Sequence, residues 1–262
     1  MEKFVEVVFQ KKIAFIRLCR PELHNAFNES LILELTRAFR AQGENPETRA
    51  IVLCAEGKSF CAGADLNWMR KMVDYSFEEN LQDARRLGEM FCAVAECPKP
   101  VVAQVQGPAY GGGAGLVAAC DAAVGLASAS FAFSEVKLGI LPATIMPYLL
   151  QKIAPGALRR YALTAEPFSA EEALRIGLLS EVVQSEAELE EKVSSLCSAL
   201  EKNSPAAITA CKKLLREMAG KTPEEARDLA SQSIAQIRVS VEGQEGLKAF
   251  LEKRKPGWQY NV

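Results

Sequence analysis

Two glycine-bearing segments have the residue types to hold a carbonyl oxygen with backbone amides. The first, FCAGADLNWM at 60–69, follows the apolar run AIVLCA and the turn residues EGKS. The second, GPAYGGGAG at 107–115, follows VVAQV and precedes an apolar run predicted to be a helix. Small residues let a ligand approach the backbone, and the first N–H groups of a helix have no intrahelical partner. An anionic oxygen would be stabilised between two such segments.

Each segment also has a simpler interpretation. The first fits a tight strand-to-helix turn with Asp65 as the helix cap. The second competes with a dinucleotide-binding loop, but its spacing is not GxGxxG and no acid follows about 20 residues on in the expected context. Together the two segments favour an oxyanion hole for a thioester carbonyl.

Glu135 is the candidate acid/base. It lies in FAFSEVKLGILP, an apolar context in which desolvation raises a carboxyl pKa. Holding a thioester oxygen as an enolate acidifies the α-carbon, so one carboxylate can then move protons without a metal or a covalent nucleophile. The alternative is an ordinary helix cap at Ser134-Glu135. The single histidine, His24, is interpreted as a loop residue or cap because of its surroundings, PELHN, and GxSxG and HExxH motifs are absent from the sequence.

The apolar pattern predicts an α/β fold with the helices last. Residues 4–18 contain two apolar runs around a polar turn, typical of paired strands, and residues 28–39 have the period of an amphipathic helix. Ala50–Ala55 and Val101–Val105 are typical of buried parallel strands. A buried helix at 114–120, a strand at 122–127 and mostly helix beyond Ser169 are also predicted. No linker divides the chain, so one domain with a helical C-terminal portion is expected.

The composition favours a small-molecule partner. Lys and Arg total 31 and Asp and Glu 33, so the net charge of -2 gives no reason to expect nucleic acid or an anionic membrane. No apolar stretch approaches the roughly 20 residues that span a bilayer, and the start lacks a secretory signal pattern. The 8 cysteines include no CxxC, which favours reduced thiols. A cytoplasmic location is expected.

Five segments, in this order and spacing, resemble the crotonase superfamily of enoyl-CoA hydratases and isomerases. They are RPELHNAFN, FCAGADL, VQGPAYGGGAGLVAACD, FSEVKLGILP and FLEKRKPGW, and they span nearly the whole chain. The resemblance implies a spiral of ββα repeats over residues 1–200. It also implies a helical region, 201–262, that packs in a homotrimer or homohexamer and completes the coenzyme A site. The implied substrate is an acyl-coenzyme A, with no separate cofactor and no metal.

The resemblance also implies roles for single residues. The amides of Ala62 and Gly112 would form the oxyanion hole, with Glu135 as acid/base. The residues implied to bind coenzyme A are Glu22, His24, Ala26, Ala62, Ala64, Asp65, Leu66, Tyr110, Gly112, Phe250 and Lys253. For Phe250 and Lys253, a solvated helix face is an equally good interpretation. Candidates to line an acyl pocket, or simply to form core, are Trp68, Met69, Met72 and Ile140.

One position departs from the two-glutamate pattern of typical hydratases in this superfamily. Gly115 stands at the first glutamate position, whereas Glu135, 20 residues further on, keeps the second. A single glutamate matches isomerases. FCAGADLNWMRKMVDYSFEEN, GAGLVAACD and LGILPATIMPYLL nevertheless look like the bacterial methylglutaconyl-CoA hydratase-like branch, linked to leucine and isoprenoid breakdown. The expected reaction is addition of water to a 2-enoyl-CoA such as 3-methylglutaconyl-CoA, with Tyr110, Asn67 or another polar group supplying the missing hydrogen bond.

Three alternatives stay open. The first is isomerisation of the enoyl double bond, and the second is decarboxylation of a β-carboxylated acyl thioester. The third is a non-catalytic acyl-CoA-binding or RNA-associating relative. Near-neutral charge argues against RNA, and the retained Glu135 argues against an inactive site.

Overall fold

The computed structural model describes residues 3–260, which form two sheets surrounded by helices. The strands are β1 Val5–Gln10, β2 Ile13–Leu18, β3 Ala50–Ala55, β4 Val101–Val105, β5 Ala109–Tyr110, β6 Ala122–Leu126, β7 Ser130–Ala132, β8 Phe168–Ser169 and β9 Glu181–Val183. The α-helices are α1 Glu29–Glu44, α2 Leu66–Val73, α3 Phe77–Ala95, α4 Gly112–Ala119, α5 Met146–Lys152, α6 Pro155–Thr164, α7 Ala170–Arg175, α8 Glu186–Glu201, α9 Pro205–Met218, α10 Pro223–Arg238 and α11 Val241–Leu251. Short 3-10 helices span Pro21–Leu23, Glu135–Leu138 and Gly257–Gln259.

The larger sheet explains why its central strands are apolar without alternation. Its order is β1-β2-β3-β4-β6-β9, with β1 and β2 antiparallel and the other pairs parallel. Along β3, Ile51 and Leu53 belong to the main core with α1 and α3, whereas Val52 and Cys54 belong to a second core beneath α8. Since helices cover both faces, nearly every side chain of such a strand is buried.

A smaller sheet, β5-β7-β8, forms a second layer. Isolated parallel bridges from Phe27 to Ala64 and from Cys61 to Ala109 continue the pairing in front of β5. Strands β2, β3, β4 and β6 are each followed by a short segment in this second pairing and then by a helix or helical turn. This is the repeated strand–strand–helix unit implied by the resemblance.

Most long elements agree with the sequence predictions, whereas the 19-residue helix α3 and the short strands were not predicted. Helix α1 begins after Asn28, whose side chain accepts a hydrogen bond from Leu31 N–H, but it continues to Glu44 rather than ending at residue 39. Strands β5, β7 and β8 have two or three residues, too few to show a period. Helix α3 did carry a signal, the capping box formed by Ser76 and Glu79.

The C-terminal portion is helical, as predicted. Helices α9 and α10 have no buried residue in this single chain, and α11 buries only Ala249. The division into a core of residues 1–200 and a helical region of residues 201–262 remains a prediction. Residues 1–2 and 261–262 lie outside the described residues. Within 3–260, every helix is too short or too polar to span a membrane.

Packing of α1 against the sheet gives a stability prediction. Phe39 is fully buried in the main core, whereas Leu33 of the same helix is 48% exposed. We expect Phe39→Ala to lower the free energy of unfolding by about 3–5 kcal/mol, because a cavity is left in the core. Leu33→Ala is the matched control and should change it by less than about 0.5 kcal/mol. Urea unfolding measures both, and equal losses would contradict the assigned orientation of α1.

Candidate active site

Hydrogen bonds hold the segment 24–27 beside the segment 62–65. Ala62 N–H donates to His24 O at 3.0 Å, Phe27 N–H donates to Gly63 O at 2.7 Å, and Asp65 N–H donates to Phe27 O at 2.8 Å. These bonds use the backbone groups on one side of the first glycine segment. The pairing therefore decides which amides of that segment remain for a ligand.

Ala64 has an unused amide, whereas Ala62 does not. The C=O and N–H of one trans peptide point in opposite directions, so the bond from Phe27 to Gly63 O turns Ala64 N–H away from residues 24–27. Within residues 3–260, Ala64 N–H donates no hydrogen bond, whereas Ala62 N–H is already bonded to His24 O. The expectation that Ala62 supplies a free oxyanion amide therefore disagrees with the structure.

The Gly112 amide is also unused within the described chain. It is the first residue of α4, so it has no intrahelical acceptor, and no other bond from it is present. Tyr110 N–H donates to Cys61 O at 2.9 Å, which ties the two glycine segments together. A Cβ added to Gly63 would stand 4.0 Å from Gly112 N. Both predicted glycine segments thus meet at one place, as expected.

A buried network that the sequence predictions missed fixes this pairing. The guanidinium of Arg20 donates to Asp65 Oδ2 at 2.9 Å and to Ala26 O at 2.8 Å. Asn25 accepts from Arg20 N–H and donates its amide to Glu56 O and Ser59 O. Burial alone would raise the pKa of Asp65, but the hydrogen bonds from Asn67 N–H and Arg20 outweigh it and lower the pKa below 3.8. Arg20 and Asn25 both lie in the segment RPELHN, where nothing in the local residue pattern indicates that they are buried together.

Glu135 lies against the start of α4. It opens a 3-10 helix, and a Cβ added to Gly111 would stand 3.0 Å from its Oε1. Gly111 has φ 51°, so it combines a left-handed backbone with room for the carboxylate. Oε2 of Glu135 is buried without a hydrogen-bond partner in the part of the chain described. Desolvation raises the pKa of Glu135 above its usual 4.5, as expected.

At Gly115, the position of the first glutamate in typical hydratases, side chains from other elements occupy the space that a side chain would need. A Cβ added to Gly115 would stand 2.2 Å from Ile145 Cγ2 and 3.1 Å from Phe91 Cε1. Ile145 and Phe91 are both buried. The packing around α4 therefore leaves no room for a glutamate side chain at residue 115.

The residues expected along coenzyme A separate into exposed and buried groups. Ala62, Ala64 and Leu66 are exposed in alternation, while Gly63 and Asp65 between them are buried. This alternation gives the segment one face open to a ligand. Asp65 instead caps α2 by accepting from Asn67 and Trp68 N–H, the alternative raised from the sequence.

In the loop at residues 22–26, only some of the residues predicted to bind coenzyme A are exposed. Glu22 and His24 are exposed, and His24 Nδ1 lies 3.0 Å from Ser59 Oγ. Ala26 is buried, and its carbonyl accepts from Arg20. Ala26 therefore contributes to the internal network and offers no exposed side chain to a ligand.

The helper groups suggested for Glu135 have partners elsewhere. Tyr110 Oη lies 2.8 Å from Ser130 Oγ, and the Asn67 side chain accepts from Arg70 at 2.8 Å. Trp68 is buried, with its Nε1 donating to Asp83, so it is core here. Met69 and Met72 are half-buried, whereas Ile140 is exposed.

Phe250 and Lys253 lie at the end of α11, which packs on α9 and α10. Phe250 is 82% exposed, and Lys253 is exposed in a turn with φ 54°. Their role at the nucleotide stays a prediction.

Thiols and carboxylates also lie outside this site. All 8 cysteines are free, as predicted. The ligand atoms of Glu6, Cys19 and Glu56 lie within 4.8 Å of one another, and Arg17 already pairs with Glu6 at 3.2 Å.

Comparison with known proteins agrees with this architecture. The family model for enoyl-CoA hydratase/isomerase matches residues 8–261. A crystal structure of an enoyl-CoA hydratase from Shewanella pealeana superposes with a TM-score of 0.94 at 40% identity, covering 98% of this chain and 96% of that one. The chain is 31% identical to a crotonyl-CoA hydratase of Syntrophomonas wolfei over 252 residues, 94% of each protein. It is also 31% identical to a peroxisomal Δ(3,5)-Δ(2,4)-dienoyl-CoA isomerase of Arabidopsis thaliana over 247 residues, 90% of this chain and 89% of the isomerase.

The chain therefore belongs to the enoyl-CoA hydratase/isomerase family and has the crotonase fold. Three predictions from the sequence are thus confirmed: the crotonase superfamily, its α/β fold and an enzyme of the enoyl-CoA hydratase/isomerase class.

The packing at Gly115 can be tested by stability. We expect Gly115→Ala to lower the free energy of unfolding by about 1–3 kcal/mol, because its Cβ collides with Ile145. Combined with Ile145→Ala, the loss should be smaller than the sum of the two single losses. Gly88→Ala in α3, where no atom lies within 4 Å of the added Cβ, is the control and should not destabilise. Additive losses in urea unfolding would sink the assigned contact.

Proposed function

We propose that this protein adds water to a 2-enoyl-coenzyme A thioester. One observation carries the proposal: the desolvated Glu135 carboxylate lies against Gly111, next to the unused amide of Gly112. An acid/base group beside an oxyanion donor is the minimum required to protonate the α-carbon of a thioester enolate.

The proposed oxyanion hole consists of the amides of Ala64 and Gly112. The thioester oxygen would accept from both as negative charge develops on it, and the loss of one such donor typically costs about 3 kcal/mol. Ala64 replaces Ala62 in this role because the Ala62 amide is bonded to His24 O. The alternating exposed face at Ala62, Ala64 and Leu66 suits the thioester end of coenzyme A.

Glu135 would carry the proton through the reaction. As a carboxylate it takes a proton from water while the water oxygen bonds to the β-carbon. It then delivers that proton to the α-carbon of the enolate, which restores the carboxylate and gives a 3-hydroxyacyl thioester. One carboxylate is enough for this addition, because the proton taken from water is the proton given to the α-carbon. No second acid is needed at the position of Gly115.

The finer assignments rest on the resemblance. We propose 3-methylglutaconyl-CoA as a substrate, no separate cofactor, and a homotrimer or homohexamer in which Phe250 and Lys253 approach the nucleotide. Seven large apolar side chains exposed on α9, α10, α11 and the turn between α10 and α11 support an assembly; they are Leu215, Ile234, Val239, Val241, Leu247, Phe250 and Leu251. The free cysteines agree with a cytoplasmic location.

Double-bond isomerisation is the second candidate, and the filled Gly115 position favours it. With only Glu135 available, one proton could move between two carbons of the same thioester without water. The apolar contact of Ile145 with Gly115 leaves no space there for a carboxylate that would hold a water molecule.

Mass spectrometry in oxygen-18 water separates these reactions. Purified protein is incubated with 3-methylglutaconyl-CoA, with a straight-chain 2-enoyl-CoA and with its 3-enoyl isomer. A hydroxyacyl thioester that carries the label supports hydration. A shifted double bond without label would establish an isomerase, and loss of carbon dioxide a decarboxylase, and either alone would displace hydration.

Removing the Glu135 proton carrier tests its role. We expect Glu135→Gln to lower kcat by about 10²–10⁴-fold while the protein still binds coenzyme A thioester, because the amide cannot exchange the proton. Glu171→Gln, an exposed glutamate at the start of α7, is the control and should retain full activity. Steady-state kinetics and calorimetric binding measure the two effects, and wild-type turnover by Glu135→Gln would refute the mechanism.

The raised pKa of Glu135 also predicts a pH dependence. Activity needs the carboxylate, so the acidic limb of kcat/KM should lie above pH 4.5. Folding favours the protonated form, so its stabilising contribution is complete below the unfolded pKa and is lost as pH rises through the folded pKa. Glu135→Gln should therefore become more stable relative to wild type as pH rises through that range. Thermal unfolding at several pH values measures this, and a difference independent of pH would count against it.

A further inference from the structure

Arg20 is a buried cation with no part in the chemistry proposed above, yet it lies behind the oxyanion segment. Its side chain is 8% exposed, and that of its partner Asp65 is 7% exposed. Asp65 directly follows Ala64 in the chain and is the N-cap of α2. Burying an ion pair removes two charges from water, and this desolvation can cost as much free energy as the pairing gains. Stability alone therefore does not explain why the pair lies here.

The guanidinium bridges the two segments whose pairing leaves Ala64 N–H unused. One nitrogen donates to the carboxylate of Asp65 at 2.9 Å, and the other donates to Ala26 O at 2.8 Å. Ala26 and Asp65 flank the backbone bonds between Phe27 and residues 63 and 65. Arg20 thus closes a ring around the peptide that orients the Ala64 amide.

Arg20 is itself held at its backbone. Its N–H donates to Asn25 Oδ1, and its carbonyl accepts from Asn25 N–H, both at 2.8 Å. Its guanidinium lies 4.9 Å from the ring centroid of Phe4. The planar fork of arginine can bond two acceptors at once, which the ammonium of lysine cannot match in this geometry.

We infer that Arg20 is a positioning residue that fixes the Ala64 amide for the developing oxyanion. The inference rests on the proposed function, because it assigns a purpose to the oxyanion amide. A preorganised donor acts mainly in the transition state, so loosening it should lower kcat more than it weakens binding.

The variants are Arg20→Met, Arg20→Lys and Asp65→Asn, with Arg17→Met as the matched control. Arg17 also pairs with a carboxylate, Glu6 at 3.2 Å, but its side chain is 35% exposed and lies outside this network. We expect Arg20→Met to lower kcat about tenfold to a hundredfold with less than a threefold change in KM. Arg20→Lys should recover part of the loss, and Arg17→Met should retain wild-type kcat.

A spectroscopic probe reports the amide directly. Bound 4-dimethylaminocinnamoyl-CoA absorbs further to the red when its carbonyl oxygen accepts hydrogen bonds, whichever reaction the enzyme catalyses. We expect a red shift with wild type that decreases in Arg20→Met and in Asp65→Asn. A role confined to stability would lower the midpoint of unfolding yet leave the shift and the kcat of the folded protein unchanged.

The possible results distinguish a failure of the proposed oxyanion hole from a failure of the role of Arg20. No red shift with wild-type protein overturns the oxyanion hole, and with it this inference. A red shift that persists in folded Arg20→Met, with unchanged kcat, overturns the role of Arg20 alone. If Arg20→Met does not fold, Arg20→Lys and Asp65→Asn decide: wild-type kcat and red shift in both overturn the inference, and reduced values support it.

Discussion

The pairing of residues 24–27 with 62–65 is the constraint on which the candidate site depends. A trans peptide presents its carbonyl and its N–H in opposite directions, so engaging Gly63 O on one side releases Ala64 N–H on the other. The same rule directs the Ala62 amide inward to His24 O. Gly63, with φ 93°, turns the chain between Ala62 and Ala64, so this turn and the register of a few hydrogen bonds together select the donor.

The environment of α4 is the second constraint. The close approach of Glu135 to Gly111 leaves no room for a side chain between the carboxylate and the start of the helix. The same helix meets Ile145 and Phe91 at Gly115, which keeps that side apolar. Burial without a hydrogen-bond donor then disfavours the charged form of Glu135, and this is the physical cause of its raised pKa.

Much of the architecture was predictable because many of its elements are long enough to show a clear apolar pattern in the sequence. The strands β3 and β4, the amphipathic α1 and the buried α4 all have enough residues to show their period or their continuous burial. Strands of two residues have no period, so β5 and β8 become strands only through their partners. The buried Arg20 was missed because a lone arginine beside a proline has the same local appearance as a surface residue.

The sequence by itself determined the two glycine segments, the lone Glu135 and the replacement of a glutamate by Gly115, since these depend only on residue type, order and spacing. The tertiary structure decided which amide of the first segment is unused and which acid is a cap. It also decided that Ile145 fills the space beside Gly115. The physical reason is that hydrogen-bond direction and desolvation depend on partners distant in the chain, and local sequence carries no record of those partners.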